Sequence, residues 1–327
     1  MNITVTHKLA KRLIEAGGEA VSGQQLADEF GLSRTAIWKH IKELEEQGYE
    51  IASIRKKGYC LVKLPDTLEP LLIQVQLKTK TLGKVIEYAK SYPSTQIIAH
   101  QLAQQGTPDG TVVLTEEQTA GRGRLARKWD SAYGKGIWMS LILRPDVPPQ
   151  RAPQFTLVAA VAVVRAIEEV TSLRPEIKWP NDILLNGKKC TGILTELQSD
   201  ADGIQALIIG IGLNVNQTEL DFDPEIRKIA TSLKMESGEE VSRAELVRAV
   251  LYHAEKYTNQ YIEEGFGMLK LLWESYSSTI GKQVRARMAS GTLEGIAEGI
   301  TEEGVLQLRT PDGKLHGIYS ADIEMKN

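Results

Sequence analysis

Between two apolar, strand-like stretches lies the run Glu117-Gln118-Thr119-Ala120-Gly121-Arg122-Gly123-Arg124-Leu125-Ala126-Arg127-Lys128-Trp129, in which glycines bracket arginines. Glycine lets backbone amides come close to an anion, and each arginine supplies a planar fork of donors suited to phosphate or carboxylate. A nucleotide or an acyl phosphate fits such a loop. The run is neither a P-loop nor a GxGxxG fingerprint, and a mobile basic loop would read the same way. A second constellation follows at Lys178-Trp179-Pro180-Asn181-Asp182 and closes with Gly187-Lys188-Lys189-Cys190-Thr191-Gly192. If residues 183–185 and 191–197 pair as a hairpin around the turn pair Asn186-Gly187, Lys189 projects near Asn181 and Asp182. Lysine, asparagine and aspartate in that position could handle a nucleotide with its Mg2+. Taken alone, Lys188 and Lys189 would be an exposed hairpin tip and Asp182 a turn cap. Two such constellations in one chain favour a site.

A third group of residues carries charge rather than bond-making chemistry. Ser22 and Gln25 form a capping box that opens a short helix, and Gly31 makes the turn after it. Ser33 caps a second helix on which Ile37, Ile41 and Leu44 recur at i, i+4 and i+7. Its other face carries Thr35, Trp38, Lys39 and Lys42, with Arg34 at the start. After Gly48, two short strands enclose the tip Arg55-Lys56-Lys57. A basic second helix followed by a basic hairpin predicts a winged helix-turn-helix, with the helix reading base edges and the wing meeting phosphates. Arg34, Thr35, Trp38, Lys39, Lys42, Arg55, Lys56 and Lys57 are the expected DNA contacts. In the competing reading, Trp38 belongs to the core and the lysines are a solvated face.

The elements that position these residues belong to an α+β chain. At 327 residues the protein exceeds what one hydrophobic core organises, so two or more domains are expected. With 42% hydrophobic and 25% charged residues, a disordered or fibrous chain is excluded. The longest apolar run, residues 157–164, is too short to span a membrane, and no secretory signal is visible, so a cytoplasmic location is expected. Cys60 and Cys190 read as free thiols, and no spacing suits zinc. Net charge is −3, yet residues 1–64 hold ten Lys/Arg against eight Asp/Glu, so a basic excess is local to the first domain. Strands are predicted at 110–114, 136–143, 193–197 and 205–215, and helices at 155–170 and 242–262. From residue 281 onward, turn signals every 8–12 residues suit a small antiparallel barrel, either contacting nucleotide or acceptor or acting as a stabilising cap.

The order Ser94-Thr95-Gln96, EQTAGRGR, KWPND, KKCTGIL and IGIGLNVN closely resembles the bifunctional biotin protein ligases and biotin operon repressors, over nearly the whole chain. That resemblance implies a winged helix-turn-helix at 1–64, a linker at 65–80, a mixed-sheet ligase core related to class II synthetases at 81–275, and an SH3-like β-barrel at 276–327. It implies ATP, Mg2+ and biotin, the latter as substrate and corepressor precursor. Gly121, Arg122, Gly123 and Arg124 would fold over biotin and the adenylate, with Trp129 helping to close the lid. Ser94, Thr95, Gln118 and Arg122 would bind the biotin ring system, and Asn214 would lie near adenine. Lys189 would contact the reacting carboxylate and phosphate, with Asn181 and Asp182 handling nucleotide and Mg2+. The catalytic set is then Lys189, Arg124 and Asp182. Gln96 stands where many relatives have asparagine, so neither it nor Cys190 receives a role. The implied activity forms biotinyl-5'-AMP and passes biotin to a lysine of the biotin carboxyl carrier protein of acetyl-CoA carboxylase or a similar domain. The implied repressor is a homodimer that forms on binding the adenylate and acts on operator DNA of biotin synthesis and transport genes, with no membrane partner. A winged-helix sensor without ligase activity is the alternative, although it would not require Lys189, Asn181, Asp182 and the arginines together. Lipoate ligases share the core but should lack both the arginine loop and the DNA-binding head.

Overall fold

The computed structural model describes residues 4–200 and 203–325, and the chain divides into two compact units with the boundary between Gln76 and Leu77. The first unit is built from α1 (Val5–Glu15), α2 (Gly23–Phe30), α3 (Arg34–Glu46), the hairpin β1 (Glu50–Ile54) and β2 (Gly58–Lys63), and the short α4 (Pro70–Gln74). Its helices start where the sequence supplies caps. Ser22 Oγ accepts from the Gln25 amide at 3.0 Å, and Ser33 Oγ accepts from Ala36 at 3.2 Å. Gly31 ends α2 at φ 63°, a left-handed conformation that glycine adopts without steric cost. Leu9, Leu13, Leu26, Ile37, Ile41 and Leu44 are each at most 1% exposed and form the core. Burying each such side chain contributes about 1.5–3 kcal/mol before chain entropy is counted. With that stripe inside, Arg34, Thr35, Trp38, Lys39 and Lys42 must face solvent, and Trp38 is 49% exposed. The wing tip Arg55–Lys57 is exposed as well. Its base is pinned by a bridge between Val21 and Tyr59, where a Cβ on Gly58 would fall 2.0 Å from the Val21 carbonyl oxygen. Beyond Leu64, Leu68, Leu72 and Ile73 are buried, so that segment carries packed residues and not only linker.

The second unit is organised by a seven-stranded mixed sheet. Its strands are β3 (Ile86–Tyr92), β4 (Thr111–Gln118), β5 (Gly136–Leu143), β6 (Glu176–Lys178), β7 (Asp182–Leu185), β8 (Lys188–Asp200) and β9 (Gly203–Asn214), in the order β3-β4-β5-β9-β8-β7-β6. Only β3 and β4 run parallel. Because helices cover the sheet, β5 is buried along its whole length and is apolar except for Ser140, and β4 is buried from Thr111 to Glu116. One face holds α5 (Thr95–Gln104), which packs Ala99 and Ala103 on Val113, Ile142, Ala206 and Ile208. The other holds α6 (Ala152–Val170), whose Thr156 hydroxyl donates to Thr195 on β8 at 2.8 Å. Behind α6 lies α8 (Arg243–Glu264), preceded by α7 (Leu233–Ser237) and followed by α9 (Gly267–Tyr276). The chain ends in a five-stranded antiparallel sheet of β10 (Gln283–Met288), β11 (Gly291–Ile300), β12 (Leu306–Arg309), β13 (Leu315–Ile318) and β14 (Asp322–Met325), ordered β13-β12-β11-β10-β14. No helix among the described residues is long and apolar enough to cross a membrane.

Candidate active site

A cavity of about 670 Å3 opens on the α5 face of the large sheet, within the range of pockets that enclose small ligands. Its floor is made by glycines. A Cβ at Gly212 would lie 2.5 Å from the Trp129 indole nitrogen, and one at Gly210 would lie 2.8 Å from Gln96 Oε1. Gly192, opposite Gly212 on β8, would approach the Trp129 ring to 3.0 Å. Alternating glycines on β9 therefore remove side chains from one face only, leaving room for a ligand and for Trp129 to lie on the strands.

Lys189 reaches this face through an irregularity. Residues 186–187 form a two-residue turn with φ 48° at Asn186 and 77° at Gly187, and Leu184 then pairs with Lys189. The next pair is Ile183 with Thr191, which leaves Cys190 as an extra residue. This bulge shifts the alternation, so odd-numbered Lys189 shares a face with Gly192, Leu194 and Glu196. Its backbone is clamped from the other side by Ile229 and Thr231, at 2.8 and 2.9 Å. Lys189 Nζ stands 2.6 Å from Asp182 Oδ1 and 5.2 Å from the centre of the Trp129 ring. Cys190 itself is fully buried, and burial pushes its thiol up to about 12, which makes it inert at neutral pH.

The arginine loop folds as a small hairpin over the cavity. Trp129 N–H donates to Gly121 at 2.9 Å, and Gly123 N–H donates to Arg127 at 2.8 Å. At its tip, Leu125 and Ala126 both hold left-handed φ values, 55° and 57°, a conformation that costs non-glycine residues energy and must be held by contacts. The contacts are side-chain anchors. Arg124 donates to Asn181 Oδ1 at 3.0 Å and to Ser320 Oγ at 2.9 Å, and Arg127 pairs with Asp322. Arg122 Nη2 lies 3.3 Å from both oxygens of Glu196, and Lys128 pairs with Asp130 at 2.5 Å. Asn181 completes the link to the sheet by donating to Ile193 O at 2.8 Å. The C-terminal sheet thus holds the loop tip, and its Asp322 and Met325 also line the cavity.

Of the residues singled out from sequence, Ser94, Thr95, Gln118, Arg122, Gly123, Arg124, Trp129, Asn181, Asp182, Lys189 and Asn214 all line this cavity. Gly121 does not. It sits at the base of the loop, where a Cβ would meet the Trp129 carbonyl oxygen at 2.4 Å. Arg34, Thr35, Trp38, Lys39, Lys42, Arg55, Lys56 and Lys57 belong to the first unit. Lys42 also pairs with Glu45 at 2.5 Å. Sequence reasoning passed over Gln96, Glu196 and the glycines of β9. The alternating Ile-Gly pattern at 209–212 was the available signal for the last of these. No group of three or more His, Cys, Asp or Glu side chains able to hold a metal ion occurs among the described residues. A Mg2+ that travels with nucleotide phosphates needs only one or two protein carboxylates, and Asp182 on the cavity wall fits that demand.

Comparison with known proteins gives three matches to family models along the chain. Residues 6–60 match an HTH domain, 88–214 the biotin/lipoate A/B protein ligase family, and 279–326 the biotin protein ligase C-terminal domain. The bifunctional ligase/repressor BirA of Bacillus subtilis is 50% identical over 99% of this chain and 100% of its own length. A biotin–[acetyl-CoA-carboxylase] ligase of Paracoccus denitrificans is 34% identical over 68% of this chain and 92% of its own. Among solved structures, the biotin protein ligase of Aquifex aeolicus in complex with biotin and ATP superposes with a TM-score of 0.64 at 32% identity, covering 74% of this chain and 99% of that one.

Proposed function

The chain belongs to the family of bifunctional biotin ligase/repressors, and from that membership we propose how its cavity and its basic head divide the work. The protein is an ATP-dependent biotin protein ligase that also represses transcription in response to biotin. The observation that carries the ligase reading is the convergence of Arg122, Arg124 and Lys189 on one glycine-floored cavity. Biotin's carboxylate cannot acylate an amine at neutral pH, because hydroxide is a poor leaving group. Attack of that carboxylate on the α-phosphorus of ATP releases pyrophosphate and leaves biotinyl-5'-AMP. Negative charge grows on the phosphoryl oxygens in this step, and preplaced cations lower its barrier without reorganising. Lys189 is assigned to that charge. Asp182, 2.6 Å away, holds its ammonium in place. Mg2+, bound with the nucleotide, would neutralise phosphate charge beside Asp182.

Ser94, Thr95, Gln118 and Arg122 are assigned to the ring end of biotin, and Asn214 to the adenine end. The arginine loop, with Arg124 and Trp129, is the lid that keeps water from the mixed anhydride. The acceptor lysine then attacks the acyl carbon and AMP leaves, so no covalent enzyme intermediate is required. The acceptor is assigned as the biotin carboxyl carrier protein of acetyl-CoA carboxylase or a similar domain, in the cytoplasm. The exposed basic face of α3 and the wing are assigned to operator DNA, bound by a homodimer that the adenylate promotes. Biotin-dependent exchange of labelled pyrophosphate into ATP tests the first half-reaction directly. Exchange that is absent, or independent of biotin, would leave only the sensor reading.

A further inference from the structure

Two polar residues without an assigned role, the buried Gln96 and the half-buried Glu196, join the floor of the cavity to its lid. Glu196 is on β8 and receives donors from two other parts of the fold. Gln96 Nε2 of α5 donates at 2.9 Å and His100 Nε2 at 3.0 Å, while the lid contributes Arg122. Gln198 Nε2 donates to His100 Nδ1 at 2.7 Å and to the His100 carbonyl at 3.1 Å, which leaves the Nε2 proton of His100 for Glu196. From Gln96 the chain of bonds continues along the floor. Ser140 Oγ lies 2.8 Å from Gln96 Oε1 and 2.9 Å from Thr95 Oγ1. Ser140 has one proton, and the amide oxygen can only accept, so Ser140 donates to Gln96, while the Thr95 hydroxyl lies between Ser140 Oγ at 2.9 Å and its acceptor Gln118 Oε1 at 3.2 Å. The Thr95 amide donates to Gln118 Oε1 at 2.9 Å, Gln118 Nε2 donates to Ser131 Oγ at 2.9 Å, and Ser131 donates to Trp129 O at 3.2 Å. The circuit therefore leaves the lid at Trp129, crosses the floor, and returns to the lid at Arg122.

We propose that Glu196 is a positioning residue for the ligase reaction, fixing Arg122 and the first limb of the lid over the end of the cavity formed by Ser94, Thr95 and Gln118. Glu196 is the only carboxylate in the circuit, and the polar groups of the floor are oriented toward it. Burial opposes its charge, yet hydrogen bonds from His100 and Gln96 and the charge of Arg122 outweigh burial and hold its carboxyl below the ordinary range. A charged anchor shared by strand, helix and lid couples closure of the lid to occupancy of the ring end. The Lys189 end is served by separate contacts.

The inference rests on the ligase reading, so the test begins with biotin-dependent pyrophosphate exchange by the wild-type protein, whose absence would defeat that reading alone. Given exchange, the isosteric variant Glu196→Gln should raise KM for biotin about tenfold while KM for ATP and kcat stay within about twofold, the loss expected for one charge-assisted contact that acts on binding. Arg122→Gln removes a residue assigned to biotin itself and should raise the biotin KM at least as much, and adding Glu196→Gln to it should raise that KM no further. An unchanged biotin KM, an equal rise in both KM values, or additive single effects would overturn the proposal. Should Glu196→Gln fail to fold, His100→Ala removes one donor to the same carboxylate from outside the cavity wall. It should raise the biotin KM by about threefold, again without moving that for ATP, and no rise would overturn the proposal.

Discussion

Two basic hairpins of this protein have similar composition and opposite organisation. At the wing, Arg55, Lys56 and Lys57 are exposed and make no ion pair among the described residues. In the lid, Arg122, Arg124, Arg127 and Lys128 are each held by a named partner: Glu196, Asn181 with Ser320, Asp322, and Asp130. Unpaired cations on an exposed tip suit a uniform polyanion, where release of counterions and not geometry supplies affinity. Cations fixed on partners suit one charge at one place, because their reorganisation has already been met in folding. Arginine predominates where direction matters, since its planar fork fixes two bonds at once.

The comparison breaks most visibly at Lys189, a placed cation outside either hairpin. Lys189→Ala should slow biotin-dependent pyrophosphate exchange about 100-fold with the thermal midpoint nearly unchanged, because the lost charge acts on the transition state. Exchange at the wild-type rate would remove its assigned role.

A smaller but more telling effect is expected at the wing. Replacing Arg55, Lys56 and Lys57 together by alanine should weaken DNA binding about 30-fold at low salt for operator and unrelated sequences alike. The slope of log K against log salt should become shallower by about 2–3, at ~0.9 per phosphate contact. Thr35 and Trp38 should behave differently, their replacement eroding preference for operator over other DNA more than affinity. A gel-shift titration across salt, with and without biotin plus ATP, reads all three quantities. An unchanged slope for the wing variant would show that these cations are not phosphate contacts.

Next comes the lid. Arg124→Gly removes the bonds to Asn181 and Ser320 and should release biotinyl-5'-AMP about tenfold faster while adenylation continues, a loss on the scale of one charge-assisted hydrogen bond. Streptavidin blotting of a bystander protein would then show labelled lysines, whereas an unchanged pattern with retained exchange would argue against a lid. Asp322→Ala, which frees Arg127 from the C-terminal sheet, should leak less, about threefold, because the pair is largely exposed.

The smallest effect concerns pH. The Glu196 carboxyl is held below its ordinary value, so the stability it contributes is complete above the range in which the unfolded glutamate titrates. It is lost only as pH falls through the lowered folded value. Biotin affinity should therefore stay flat from neutral pH down into the ordinary carboxylate range, and Glu196→Gln should flatten any decline below that range. Calorimetric titration with biotin checks both limbs, and a fall in wild-type affinity between pH 7 and 5 that Glu196→Gln abolishes would contradict the sign.

Much of the first unit was legible because its signals are local. The Ser22 and Ser33 caps, the Gly31 turn and the spacing of Ile37, Ile41 and Leu44 act within a few residues, so the chain itself specifies two helices and the exposed face between them. The Asn186-Gly187 turn is equally local and brought Lys189 to Asp182 as its sequence suggests. The lid was recognisable as an anion-binding run by composition. Tertiary structure alone decided what each of its cations touches, since the partners Glu196, Ser320 and Asp322 are remote in the chain and leave no periodic trace. It also decided which residues of β8 face the cavity. Simple alternation back from Glu196 turns Lys189 away, and only pairing with β7 shows that Cys190 is an extra residue that restores it. The roles of Gln96 and Glu196 were hidden for the same reason: a buried polar group is defined by the partners that satisfy it, and here they come from separate strands, a helix and the lid.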